Sequence, residues 1–376
     1  MKTSFTSPKL RRAATFFLLS LSSILVTSQD GHPSRPQLPV GQIVAGHDMT
    51  TARGGHTATV LPDFRILIVG GKQERGLVLA TTEIYDPNKE SFIKAAKLTV
   101  PREGHIAASL ADTNILIAGG STRGGVPLAS CEVYDYETER FIRRGNMHAA
   151  RAHASGIILR DGRVLVSGGD NGTHPLDSAE AYDVLTGKWR LVGRMSAARS
   201  SHTSTVLSDG RVLVAGGIGR NHVVLASTEI FDPQTNKFTA APNLLQPRAN
   251  HTAVLLASGS VLVAGGVSRA DHSSSLDSAE LYKPGAASTL TGKLNQPRHK
   301  MADTAVLLDG RILITGGGET AEIYDPKTGS FRTVAGSLDM PRFSSAASQM
   351  MDGSSRIFGG YDAKGVSSAK TWIYRP

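Results

Sequence analysis

Apolar residues arrive in short runs along this chain, and each run stops at a pair of glycines. DGRVLVAGG spans Asp209 to Gly217, DGRVLVSGG spans Asp161 to Gly169, DGRILITGG spans Asp309 to Gly317 and DFRILIVGG spans Asp63 to Gly71, with looser copies ending at Gly120, Gly266 and Gly360. Ahead of the runs stand small-residue stretches such as HTATVL and HTSTVL. After them come a loop and a second signature, as in TEIYDP, SCEVYDY, SAEAYDV, STEIFDP and SAELYKP, then a polar turn and an aromatic residue (Phe92, Phe141, Trp189, Phe238, Phe331). Asp-Gly between the first two stretches and Asp-Pro or Thr-Gly between the last two are turn chemistry, so each unit predicts four short antiparallel strands.

The second glycines stand at Gly71, Gly120, Gly169, Gly217, Gly266, Gly317 and Gly360, steps of 49, 49, 48, 49, 51 and 43 residues. A four-stranded meander repeated near every 50 residues is the signature of a propeller blade. The expectation is therefore an all-β, seven-bladed β-propeller over residues 41–376. The chain stops at WIYRP, which matches EIYDP but lacks a fourth strand, whereas Gly41 to Met49 precede the first arginine as fourth strands do elsewhere. Gln42 to Ala45 are accordingly expected to complete blade seven and close the ring. The glycine pairs read as packing positions where another backbone or a ring approaches closely. No helix follows them, as a phosphate-cradling loop would require.

Two more residue types keep step with the repeat. An arginine precedes each glycine pair by about 17 residues (Arg53, Arg102, Arg151, Arg199, Arg248, Arg298, Arg342), and a glutamate follows it in six units (Glu83, Glu132, Glu180, Glu229, Glu280, Glu322). These rows are expected to pair in the interior; in the seventh unit Trp372 takes the glutamate's place. His56, His105, His202 and His251 each follow the arginine by three residues and are read as structural hydrogen-bonding groups.

Composition adds a compartment. Lys2, Lys9, Arg11 and Arg12 precede an apolar run from Ala13 to Val26 and the small-residue site Val26-Thr27-Ser28, the order of a secretory signal peptide. The expected layout is a signal peptide over 1–28, a linker over 29–40 and the propeller over 41–376, with a secreted or periplasmic location and no stable membrane span after signal removal. The net charge of +9 loses four basic residues with that segment and falls to +5. What remains is scattered, which argues against nucleic-acid binding. The single cysteine, Cys131, excludes an intramolecular disulfide framework.

The glycine pairs, the Glu-x-Tyr-Asp signatures and the spaced arginines resemble the kelch-repeat family, in the superfamily that also holds galactose oxidase and sialic acid epimerases. That resemblance implies a kelch-type propeller and leaves function open between a binding module and a sugar-active enzyme. An oxidase-like copper site would need a cysteine crosslinked to tyrosine. Cys131 occupies a strand slot held by Thr82, Ala179, Thr228, Ala279, Ala321 and Thr371 in the other units, so no cofactor, metal site or catalytic residue is assigned.

Topology divides the two faces. First-to-second and third-to-fourth turns share one face and repeat monotonously. Second-to-third loops and blade connections share the other, and there the sequence varies, as binding loops on a rigid scaffold do. The candidate ligand-binding residues lie on that face: Arg123, His153, Asn171, Arg220, His222, Arg269 and Lys300. Their cationic character suggests an acidic or hydroxyl-rich ligand. The function expected is a monomeric module binding a protein or glycan, with a carbohydrate-active propeller enzyme (epimerase-like or oxidase-like) as the alternative.

Overall fold

The computed structural model describes residues 41–300 and 304–376. The expected signal peptide and linker lie outside the described residues. Seven four-stranded antiparallel sheets follow one another along the chain, and the first strands of neighbouring blades touch around the inside of the ring. Blade 4 is representative: Thr203–Val206, Val212–Ala215, Thr228–Asp232 and Lys237–Ala241, paired in sequence order. The second strand is buried on both sides in every blade, which explains why it reads as a continuous apolar run with no polar alternation. Third-strand aromatics stack on fourth-strand ones, as in Tyr134 with Phe141 and Phe231 with Phe238 at ring-centroid distances of 5.2 and 4.8 Å.

Blade 7 combines Ala346–Gln349, Ser355–Phe358 and Thr371–Tyr374 with Ile43–Ala45 from the other end of the described chain. Ile43 pairs with Tyr374 and Ala45 with Trp372. The closing strand also reaches blade 6, because the Ile43 N–H donates to the Ala335 carbonyl at 2.8 Å. Ring closure through the N-terminal strand is thus as the repeat arithmetic expected.

The glycine pair does two jobs. The N–H of its second member donates to the carbonyl of the next blade's arginine, from Gly71 to Arg102 at 2.9 Å through to Gly360 to Arg53 at 2.9 Å, in all seven blades. The approach leaves no room for a side chain: at Gly217 (φ +102°) a Cβ would lie 2.7 Å from the Ser200 carbonyl oxygen and 2.8 Å from the His202 Cβ. The repeated phrase is therefore a blade-to-blade joint as much as a strand.

The arginine and glutamate rows form the second joint. Arg199 is fully buried; its Nη1 donates to the Gly216 and Ser227 carbonyls at 2.7 and 2.9 Å, and its Nη2 to Glu229 Oε1 at 3.0 Å. Glu229 in turn accepts the backbone N–H groups of Ser196 and Ala197, in the segment arriving from blade 3. Arg and Glu together clasp the incoming connection onto its blade, and Arg–Glu pairs recur in blades 1 to 6. In blade 7, where no glutamate is available, the Arg342 guanidinium lies over the Trp372 ring at 5.4 Å.

Candidate functional site

Two residues beyond each clasp arginine, the chain turns at the axis on the loop face. The residues there, one per blade, all adopt left-handed backbone: Gly55 (φ +64°), Gly104 (+57°), His153 (+52°), Ser201 (+54°), Asn250 (+52°), Lys300 (+47°) and Ser344 (+51°). A belt of hydrogen bonds joins them, with Gly104 N–H donating to Gly55 O, Ser201 to His153, Asn250 to Ser201, Lys300 to Asn250, Ser344 to Lys300 and Gly55 to Ser344, all at 2.8–3.1 Å. The mixed composition of these positions in the sequence now has a backbone reason. Glycine and short polar residues tolerate the left-handed region best, yet five of the seven keep a side chain.

Above the belt opens a bowl with two lobes of about 1070 and 580 Å³. His153, Asp170, Asn250, His272 and Lys300 line both lobes and form the floor between them. The larger lobe is walled by the second-to-third loops of blades 7, 1 and 2, the smaller by those of blades 3 and 4.

Most polar groups in the bowl are already engaged. Lys72 Nζ pairs with Glu103 Oε1 at 2.8 Å. The Tyr361 hydroxyl donates to the Gly54 carbonyl at 2.8 Å, and burial, then Glu103, pushes its pKa above the ordinary phenol value. His299 Nδ1 lies 2.8 Å from the Ser275 hydroxyl and its ring stacks on His272 with centroids 5.4 Å apart. Lys300, on the floor, is not engaged in this way, since its ammonium makes no ion pair with any described residue. Burial and the nearby Lys72 charge lower its pKa, with Glu103 opposing. His153 is open to solvent but enclosed by the bowl's walls, and that enclosure, then Lys300, lowers its pKa. Burial and Lys300 act likewise on His272; burial, His272 and Lys300 bring His299 down to about 4. All three shifts favour the neutral imidazole.

The structure brings His153 and Lys300 together on the floor, with Arg220 and His222 on the wall of the smaller lobe. Arg123, Asn171 and Arg269 stand on the same face but outside the lining of either lobe. Lys72, Glu103, Phe343 and Tyr361 were missed. They occupy two further once-per-blade positions, the residue after the clasp arginine and the residue after the glycine pair, which bridge each other as Gly54 with Lys72, Glu103 with Ser121, Ala152 with Asp170 and Phe343 with Tyr361. Their variation between blades was the available signal. The lining also carries both signs of charge, since Glu74, Glu103, Asp170 and Asp362 accompany Lys72, Arg75 and Lys300, where the sequence suggested a cationic face.

The two faces differ sharply in how their cations are held. On the turn face Arg65, Arg163, Arg211 and Arg311 each bind the aspartate two residues earlier in the same turn, at 2.6–2.9 Å. On the loop face Arg75, Arg123, Arg220, Arg269 and Lys364 form no ion pair with any described residue.

Two family models match the chain, the KLHDC2/KLHL20/DRC7 Kelch-repeats domain over residues 41–217 and the Kelch motif over residues 199–245. No curated protein matches it. Among solved structures, a fungal alcohol oxidase of the AA5 family, in complex with copper, is similar with a TM-score of 0.73 and 19% identity, over 89% of this chain and 76% of that one. At that identity the likeness shows the fold alone. A copper centre does not fit this chain's residues. Cys131 is buried in the third strand of blade 2, where its Sγ donates to the Gly145 carbonyl at 2.8 Å and accepts from Trp189 Nε1 at 3.2 Å. Burial raises its pKa. Among the described residues no three His, Cys, Asp or Glu side chains stand close enough to share a metal ion.

Proposed function

This chain is a kelch-repeat β-propeller, and from that premise we propose that it is an exported, monomeric recognition module that binds a protein or glycan on its loop face, with the axial bowl as the anchor. The observation carrying the proposal is the contrast between faces. The guanidinium groups of the Asp-x-Arg turns are neutralised within their own turns, while Arg75, Arg220 and Lys300 around a bowl with a main lobe of about 1070 Å³ have no counter-charge among the described residues. The belt supports it too, because five blades hold a side chain at a left-handed position where glycine would be easier, a cost tolerated where the side chain has a use.

Lys300 is the group expected to meet the ligand's acidic or hydroxyl-rich part. A glycan array and a pull-down supply candidate ligands. Lys300→Met and Arg220→Glu should each weaken binding about tenfold or more, as loss of a central charged contact does. Arg163→Glu and Arg211→Glu on the turn face should leave it unchanged. The reverse ranking would assign recognition to the wrong face. Export is tested by N-terminal sequencing of the secreted chain, which should start near Gln29; retained Met1 would contradict it.

The floor cluster of His153, His272 and Lys300 favours one competing reading, a carbohydrate-active enzyme. Against it, both members of the carboxylate–tyrosine pair in the bowl are engaged elsewhere: Glu103 pairs with Lys72 at 2.8 Å, and the Tyr361 hydroxyl, only 3.5 Å from Glu103 Oε2, donates to the Gly54 carbonyl at 2.8 Å. Turnover of a sugar or alcohol panel, abolished by Lys300→Met, would reinstate that reading.

A further inference from the structure

Four second-to-third loops that differ in sequence share one backbone. In blades 1, 2, 4 and 7 the loop starts and ends on a bridge six residues apart, Lys72 with Val78, Ser121 with Pro127, Ile218 with Val224 and Tyr361 with Ser367. Inside each, the second residue's N–H donates to the sixth residue's carbonyl: Gln73 to Leu77 at 2.8 Å, Thr122 to Val126 at 2.9 Å, Gly219 to Val223 at 2.7 Å and Asp362 to Val366 at 3.0 Å. A basic residue sits at the third or fourth place of each: Arg75, Arg123, Arg220 and Lys364. The sixth place is always a branched aliphatic, and it is exposed: Leu77 55%, Val126 57%, Val223 56% and Val366 39%. At Leu77, Val126 and Val223 the backbone is extended, so any residue would close the turn. Nothing in the turn's hydrogen bonding calls for a solvent-facing apolar residue at this place, yet four blades keep one.

Three of these loops belong to the consecutive blades 7, 1 and 2 and wall the larger lobe. We propose that this arc docks a protein segment that carries aliphatic side chains for Leu77, Val126 and Val366 and carboxylates for Arg75, Arg123 and Lys364. The inference rests on the recognition reading and narrows it to a protein partner. Charge complementarity points to acidic residues, since in the three loops Arg75, Arg123 and Lys364 outnumber the carboxylates Glu74 and Asp362, Asp362 Oδ1 already accepts the N–H groups of Lys364 and Val366, Lys72 is held by Glu103, and Lys300 adds an unpaired cation among the described residues. Chemistry points away from sugar. Pyranose rings pack their C–H faces on aromatic rings, whereas the arc's exposed apolar side chains are all aliphatic and the two aromatic rings that line the larger lobe, Phe343 and Tyr361, are half-buried.

A random dodecapeptide library displayed on phage, selected on the full chain, tests this. Recovered peptides should combine Asp or Glu with Leu, Ile or Val, and the triple variant Leu77→Ser/Val126→Ser/Val366→Ser should bind them at least about tenfold more weakly. That variant should keep the wild-type melting temperature, because the three side chains are exposed. Leu308→Ser with Met351→Ser, exposed apolar residues of turn-face turns, should change nothing. Peptides whose binding survives the triple variant but not Lys300→Met would overturn the arc and leave the bowl as a recognition site. Phosphatidylserine vesicles that bind the chain and lose binding in the triple variant, with no peptide selected, would reassign the arc to a membrane surface. No peptide, glycan or vesicle bound at the loop face would overturn both readings.

Discussion

Arg199→Ala is expected to lower the unfolding free energy by about 3–5 kcal/mol, the loss typical of removing one partner of a buried charge pair. The magnitude follows from what the side chain holds. It reaches two carbonyls, a serine hydroxyl and Glu229 within blade 4 and the Ala197 carbonyl of the segment entering from blade 3, and Glu229 carries N–H groups of that same segment. Alanine leaves a buried carboxylate without its counter-charge and carbonyl oxygens without donors. Replacing both partners together, Arg199→Met with Glu229→Met, should recover part of the loss, because the charge penalty vanishes while the carbonyls remain unmet. Arg211→Ala removes an exposed turn pair and should cost under about 1 kcal/mol. Urea unfolding of the variants checks the ranking. Equal losses for Arg199→Ala and Arg211→Ala would show that the clasp does not hold the connection.

Acid should unfold the propeller well above the pH at which carboxylates protonate. His56, His105, His202 and His251 are buried at the starts of the first strands. Burial first, and then the clasp arginine of the same blade, depresses their pKa values, to about 3 for His105 and His251 and well below the ordinary value for His56 and His202. In the unfolded chain the same imidazoles titrate near 6.5. The unfolded state therefore binds more protons below that pH. The stability these neutral rings contribute is complete above about pH 6.5 and is lost as pH falls toward their folded-state values. Each costs up to about 1.4 kcal/mol per pH unit over that window, so four together remove up to about 6 kcal/mol per unit, against a typical total of about 5–15 kcal/mol. A midpoint near pH 5 is expected in circular dichroism. His251→Gln, which keeps a group able to hydrogen-bond near Thr203, should move the midpoint to lower pH. A fold unaffected down to pH 3.5 would mean that these rings reach solvent.

The architecture was legible because every blade repeats the same packing problem. The glycine pair must admit its neighbour's carbonyl, the arginine must reach a glutamate, and both constraints print at a fixed period. Closure was legible for the same reason, since WIYRP lacks a fourth strand and Gln42 to Ala45 supply one. The site was less legible. Variation marks a functional position only when its place in space is known, and the sequence alone did not place the residues after Arg102, Gly71 and Gly360 on the bowl wall, so Glu103, Lys72 and Tyr361 escaped notice. Arg269 and Asn171 were chosen for chemistry on varied loops, and loop geometry carries them outside the lobes. The shared turn in four loops was hidden completely, because Glu-Arg-Gly, Arg-Gly-Gly, Arg-Asn-His and Ala-Lys-Gly reach one backbone through different residues.

The central claim is that the loop face recognises and the turn face does not. Amide hydrogen exchange of the chain, with and without a saturating peptide or glycan recovered by selection, tests it most directly. Binding should slow exchange in residues 72–78, 121–127, 299–300 and 361–367 and leave residues 161–163, 209–211 and 309–311 unchanged. Protection confined to those Asp-Gly-Arg turns, with the bowl unaffected, would contradict the account.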